Sequence, residues 1–294
     1  MKKNQNHPRV KSKLTWLPAK TFELEFIIPW EKVKTSYQKN LKKLTEKTTI
    51  KGFRKGKAPQ EVVAKQLDQT QLYTLVLEEL LPQTYFAAVQ QHQLKPICEP
   101  KITPLKTNEG ADWHFKATAC EAPQVKLGNY EQVVKNLKLK TQIWLPGQDK
   151  TSTKEEKGET ESLEKIFQGL LETCQVEISP ILTESEEKRL LSNLLEEIQK
   201  LGLTLNEYCT NNHKTLEQLK AEYHKLAQET LKLEFILQAI AQEKKLTVEE
   251  KEITDLIATI PEEKTRKNLS TPLQKAYIKS LLSKRKAIDF LMKL

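Results

Sequence analysis

Glycine and phenylalanine are scarce, at eight residues each in 294, while Leu, Lys, Glu and Gln abound. That balance favours extended, solvent-rich helices over a large compact core. The hydrophobic fraction, 38%, is below the usual range, and the charged fraction, 30%, is somewhat above it. The four cysteines, Cys98, Cys120, Cys174 and Cys209, are far apart and form no CxxC. The histidines do not sit at metal-ligand spacing with them, so no zinc or redox motif is legible and no cofactor or metal is expected. Reduced cysteines in a cytosolic protein are the simple reading. The basic start, Met1-Lys2-Lys3, is followed by no apolar stretch of the kind a signal peptide needs. No apolar run approaches ~20 residues, which excludes a helical membrane span.

What the chain does carry is positive charge, unevenly. Residues 1–145 hold 25 Lys and Arg against 13 Asp and Glu, whereas residues 146–294 hold 23 against 26. A basic half implies a polyanionic partner, nucleic acid or a membrane surface, or else a solubilising charged face.

The periodicity predicts an α+β N-terminal domain, a small antiparallel sheet with helices, followed by an extended all-α C-terminal domain. Residues 1–13 read as a polar tail. Thr21–Ile28 alternates as a half-buried strand, and Pro29 opens a helix from Trp30 to about Leu44. Pro59 restarts a helix, and a longer one runs from about Gln71 to Gln91, where Pro82 should kink or split it. Lys101–Thr103 and Trp113–Cys120 read as strands joined by a hairpin turn at Glu109-Gly110, and Val133–Trp144 contains a last strand with Leu137, Leu139 and Ile143. Residues 146–162 contain no large apolar side chain and read as a flexible linker. The domains expected are therefore 1–145, the linker 146–162, and the helical 163–294.

Five Thr residues are followed three positions later by Glu or Gln: Thr183/Glu186, Thr204/Glu207, Thr215/Gln218, Thr247/Glu250 and Thr271/Gln274. Such pairs satisfy two free amides at a helix start. The longest helix is expected from Leu216 to about Lys244, and the last from about Pro272 to Met292. Gly202 and Pro261 mark helix ends.

The segment Gly52-Phe53-Arg54-Lys55-Gly56-Lys57-Ala58-Pro59 reads as a tight loop with Phe, Arg and Lys at its tip. A guanidinium and ammonium groups beside an exposed ring suit phosphate contact and stacking. Placed after a strand and a long helix, it resembles the signature loop of the trigger factor family, bacterial ribosome-associated chaperones. Leu94–Pro100, Phe115–Val125 and Gly128-Asn129-Tyr130 resemble further family segments. So, more weakly, do Glu177–Pro180 with Glu184-Ser185-Glu186, and Gly202–Tyr208.

The resemblance implies a basic domain that docks beside the polypeptide exit tunnel, touching a large-subunit ribosomal protein and ribosomal RNA. It implies helical arms that hold nascent or unfolded chains without ATP, in the cytoplasm. Carried onto this sequence, the ribosome-binding residues are Phe53, Arg54 and Lys55, with Gly52 and Gly56 shaping the turn. Lys57 adds a phosphate contact by its own chemistry. The family's FKBP-type prolyl isomerase domain has no room between Tyr130 and Ser179, so no enzyme activity is expected.

Two other readings stand beside this one. A basic nucleic-acid-binding protein with a helical dimerisation half suits the charge, although no helix-turn-helix, RNP or zinc signature is present and the cations look dispersed. An enzyme would need a constellation. Glu184, Glu186 and Glu187 favour a helix N-terminus instead, His92 and His114 lack partners at a recognisable spacing, and Cys120 reads as a small buried hydrophobe. A homodimer through the helical arms is left open by the sequence.

Overall fold

In the computed structural model, which describes residues 10–47, 69–141 and 152–294, the alternation of Thr21–Ile28 becomes a strand with one covered face. Contacts divide the chain into two compact units, Met1–Ala122 and Pro123–Leu294. In the first, β1 (Ser12–Trp16), β2 (Thr21–Ile28), β3 (Lys101–Lys106) and β4 (Trp113–Cys120) form a sheet in the order β1-β2-β4-β3. Every pairing is antiparallel. Phe22, Leu24, Phe26 and Ile28 meet Ala119, Ala117, Phe115 and Trp113 across the central pair. All eight are buried, and the rings of Phe26 and Phe115 stack with centroids 5.9 Å apart. Removing each large side chain from water stabilises the sheet by about 1.5–3 kcal/mol.

Two helices supply side chains to this core: α1 (Trp30–Lys47) through Val33, and α2 (Gln69–Gln91) through Val76, Ala88 and Val89. α2 continues through Pro82 without being split. Buried residues on both sides of the proline hold it in place, so tertiary packing offsets the lost hydrogen bond. β1 lies partly where the sequence reads as a polar tail. Only Leu14 and Trp16 carry an apolar signal, and the strand exists because it pairs with β2, Leu14 opposite Leu24.

The second unit begins earlier than expected. A two-residue strand, β5 (Val125–Lys126), pairs with β6 (Gln175–Val176). Between them lie α3 (Tyr130–Thr141) and α4 (Ser152–Thr173). The strand expected within Val133–Trp144 is thus a helix through Thr141, and residues 142–151 lie outside the described residues. The physical reason is visible in the sequence. Tyr130, Val133, Val134 and Leu137 fall at i, i+3, i+4 and i+7, one face of a helix. That face packs on α4, where Gly169 permits a close approach. A Cβ there would stand 2.7 Å from Leu137 Cδ1 and 3.1 Å from Val133 Cγ1. The stretch read as a linker is helical from Ser152 onward, because α4 extends its anchored half (Ile166, Leu170) back through Glu- and Lys-rich sequence. With the border at Ala122, the first unit holds 21 basic and 12 acidic residues and the second 27 of each. All of the net charge belongs to the first.

The remaining elements are α5 (Pro180–Lys200), α6 (Leu205–Asn211), α7 (Leu216–Glu243), α8 (Glu250–Ala258), α9 (Glu263–Leu269) and α10 (Pro272–Lys293). Two of the five expected capping boxes form as read, at Thr204/Glu207 and Thr215/Gln218. Thr183 instead lies inside α5, its hydroxyl donating to the Ser179 carbonyl at 3.3 Å. Ser179 and Pro180 open that helix. The start expected at Thr247 moves to Glu249, whose N–H donates to Glu252 Oε1 at 3.3 Å. Thr271 is the N-cap of α10, but its hydroxyl donates to the Asn268 carbonyl. Gly202 ends α5 at φ +71, with its own N–H on the Gln199 carbonyl and that of Leu203 on Ile198.

The helical unit spreads its apolar side chains over separate clusters along α7. Near the N-terminal end of α7, Leu219 joins Leu194, Ile198 and Cys209. Near its other end, Ile236, Leu237 and Ile240 join Tyr130, Val134, Ile166, Leu170 and Leu291. Val248, Ile253, Ile257 and Ile278 make a further cluster between α8 and α10.

Candidate functional site

Gly52, Phe53, Arg54, Lys55, Gly56 and Lys57 lie outside the described residues, as does the helix expected after Pro59. What the structure does define is their mounting. Residues 48–68 connect α1 to α2, and those two helices are clasped to each other. Tyr37 and Tyr73 meet with ring centroids 5.4 Å apart. Glu79 of α2 accepts hydrogen bonds from Ser36 Oγ at 2.9 Å and Asn40 Nδ2 at 3.1 Å, and pairs with Lys39. The Lys39 ammonium, with Ser36 and Asn40, holds the Glu79 carboxyl far below the ordinary carboxylate range, down to about 2. Trp30 and Tyr73 also approach Trp113 of β4, with centroids at 6.4 Å and 5.6 Å, so both helices are anchored to the sheet.

The helix that leads into the cationic segment is itself cationic. Lys32, Lys34, Lys39, Lys42 and Lys43 are all exposed. Lys32, Lys39 and Lys43, at i, i+7 and i+11, share one side of α1, with Lys42 beside them. The positive charge is therefore less dispersed than the linear sequence suggests.

In the helical unit the feature that sequence reasoning missed is on α10. Leu273, Tyr277 and Leu281 are exposed, Leu273 at 79% and Tyr277 at 60%. Leu291, five helical turns from Leu273 and so on the same side, is fully buried. One apolar stripe is core at the C-terminal end of the helix and faces water at the N-terminal end. Spacing alone reads as core throughout, which is why the sequence does not disclose it. Beside the stripe lies a cleft of about 620 Å³ between the end of α7 and α10. Ala241, Leu246, Val248 and Ala276 make its apolar lining, and Lys245 and Lys279 are also part of its wall. An apolar surface edged by ammonium groups suits an extended polypeptide segment with apolar side chains.

The residues weighed for catalysis have structural work. Glu187 is buried and its Oε2 lies 2.8 Å from His224 Nδ1, joining α5 to α7. Glu186 binds Arg189, and Glu184 lies 3.5 Å from Lys188. His92 does have a serine partner that spacing hid, Ser12 Oγ at 2.9 Å, a contact fastening β1 to the end of α2. Among the described residues, no group of three or more His, Cys, Asp or Glu is placed to hold a metal ion. Among them, too, no helix is long and apolar enough to cross a membrane.

Comparison with known proteins accounts for nearly the whole chain. Residues 10–143 match the family description "Bacterial trigger factor protein (TF)", and residues 148–293 match "Bacterial trigger factor protein (TF) C-terminus". Residues 144–147 alone separate the two matches. Similar curated proteins include the trigger factors of Staphylococcus aureus strains JH9 and Newman, each 32% identical over 108 residues, or 37% of this chain. The match spans only 25% of the length of those relatives. A solved structure titled for promiscuous substrate recognition in folding and assembly by the trigger factor chaperone aligns with 96% of this chain and 99% of its own. Its TM-score is 0.58 at 13% identity, a likeness of fold.

The Glu79 clasp makes a pH-dependent contribution with a definite sign. A carboxyl whose folded value is depressed stabilises fully above its unfolded value, ~4.3, and less as the pH falls towards about 2. Stability curves of the parent and Glu79→Gln, read by tryptophan fluorescence, are expected to differ most above pH ~5 and to converge in acid. A difference independent of pH would refute the clasp.

Proposed function

The chain belongs to the trigger factor family, and from that premise we propose that it is an ATP-independent chaperone that docks on the ribosome beside the polypeptide exit tunnel. It works in the cytoplasm and holds nascent or unfolded polypeptides as they emerge. We assign docking to the basic N-terminal part, read from the sequence as residues 1–145, and holding to the helical part, residues 163–294. The observation that carries the reading is the cationic segment 52–57, set between two helices of the unit that bears the whole net charge of +9. Arg54 and Lys55 suit phosphates of ribosomal RNA, and Phe53 suits stacking against a base or a protein side chain. Gly52 and Gly56 let the chain turn tightly there, and Lys57 adds charge.

For holding, we assign the exposed stripe Leu273, Tyr277 and Leu281 and the neighbouring cleft as polypeptide-contacting surface. Burial of an incoming apolar side chain there is favourable at about 25 cal/mol per Å² and independent of the client's sequence. The second reading, binding of free nucleic acid, is favoured by the exposed lysines of α1. Matched-salt experiments separate the two, because both contacts weaken with salt while only one requires the ribosome. We further propose that the chain is no prolyl isomerase, since its two family segments follow each other with no domain between them.

The triple variant Phe53→Ala/Arg54→Ala/Lys55→Ala is expected to lose co-sedimentation with ribosomes while its helical circular dichroism stays the same. Pelleting equal to the parent would remove these residues from the docking site. Tight retention of free duplex with no ribosome binding would favour the nucleic-acid reading. Replacing Leu273, Tyr277 and Leu281 with Ser should change Tm little, since exposed positions lie within about 0.5 kcal/mol of neutral. The same variant should suppress aggregation of a denatured client several-fold less well. In a peptide assay of cis/trans exchange at an X-Pro bond, the full chain is expected to give the uncatalysed rate, and measurable acceleration would overturn the non-enzyme reading.

A further inference from the structure

The sequence separates Cys98 from Cys120 by a hairpin, but the fold places their sulfurs 3.4 Å apart. Cys120 ends β4 and is fully buried, while Cys98, on the segment between α2 and β3, is half-buried. Backbone contacts fix the two segments to each other. Ile97 N–H donates to the Cys120 carbonyl at 3.0 Å, and Lys95 N–H donates to Glu121 Oε1 at 2.8 Å. The other two cysteines contrast with this pair. Cys174 is buried with its thiol donating to the Leu127 carbonyl at 3.2 Å, and burial pushes it up to about 11. Cys209 is buried in the cluster near the start of α7.

A tyrosine packs against the same core cluster as Cys98. Among the described residues the buried Tyr85 hydroxyl of α2 has no hydrogen-bond partner, which is costly for a polar group. Burial, and then the nearby Cys98 and Cys120 sulfurs, raise it to about 12, so it stays protonated and able to donate. The hydrogen bond between the two sulfurs lowers the Cys98 thiol below the ordinary cysteine value. A half-exposed thiol that ionises readily, next to a shielded second thiol, has the layout of an attacking and a resolving cysteine.

We propose that Cys98 and Cys120 form a peroxide-sensitive dithiol that closes to an intramolecular disulfide. The Cys98 thiolate attacks one oxygen of hydrogen peroxide and the O–O bond breaks. Cys98 becomes a sulfenic acid, and the departing hydroxide takes up a proton as water. The Cys120 sulfur then attacks Cys98 Sγ, the S–S bond forms, the S–O bond breaks, and the released hydroxide leaves with the Cys120 thiol proton as a second water. Two thiols and one peroxide yield a disulfide and two waters, with two electrons passing from sulfur to peroxide. The product staples the lead-in to edge strand β3 onto central strand β4.

The test is mass spectrometry of the full chain after brief exposure to hydrogen peroxide, unfolding and alkylation. The expected product is about 2 Da lighter than the reduced chain before alkylation, as two lost hydrogens require. It carries one cross-linked peptide joining Cys98 to Cys120, with Cys174 and Cys209 alkylated. Cys98→Ser is expected to abolish the mass loss, and Cys120→Ala to leave Cys98 as a sulfenic acid captured by dimedone. Oxidation falling on Cys174 or Cys209 first, cross-links shared among all four cysteines, or Cys98 left alkylatable after treatment would each overturn the proposal. Peptide mapping of the parent decides this even where a variant at buried Cys120 unfolds.

Discussion

A shortage of apolar side chains governs this molecule. With 38% hydrophobic residues the chain does not fill one large interior, and the two units meet the shortage differently. The first gathers large rings on one sheet face, where Phe22, Phe26, Trp113 and Phe115 are all buried. The second builds on α7, whose 28 residues span about 42 Å and reach clusters near both ends. Remove the side chains that α7 contributes, Leu219 at one end and Ile236, Leu237 and Ile240 at the other, and each cluster loses the element that joins it to the next. The polar surfaces between clusters follow from the same shortage, as does the apolar end of α10 left in water.

Much of this was legible, and the exceptions have physical causes. Strands β2 and β4 declare themselves through alternation, and α7 through long three- and four-residue spacing. Thr204 and Thr215 mark helix starts because both partners of the capping box are in place. Thr183 carries the same pattern and lies mid-helix, since Ser179 with Pro180 already opens α5. β1 is decided by its partner strand rather than by its own residues. Past Ala122 the spacing of Leu137, Leu139 and Ile143 suits a strand, but the competing set Tyr130, Val133, Val134 and Leu137 prevails because Gly169 of α4 leaves room for it to pack closely. The candidate site was legible in a different way. Its cationic residues stand in consecutive order and need no fold to be seen, whereas the Cys98–Cys120 contact and the α10 stripe exist only once distant segments are brought together.

The fold adds support around the cationic segment. Its two flanking helices are tied by Glu79 and by the tilted ring contact of Tyr37 with Tyr73, and both rest on the aromatic sheet. The charge follows the same division of labour: the unit that holds the proposed docking segment carries all of the excess, while the helical unit is balanced and presents apolar surface instead.

The sheet order has a consequence for how this protein itself is made. The central pair joins Thr21 to Cys120, so the core of the first unit requires contact between residues on opposite sides of everything in between. Pairings of such long range are slow, because the intervening chain must be confined before any contact rewards it. During synthesis β2 and the helices after it leave the ribosome with one strand edge of β2 unpaired, and the core without Trp113 and Phe115, until β4 has followed. For that interval the nascent first unit is itself an unfolded chain with exposed aromatic residues, the kind of client that the finished protein is proposed to hold.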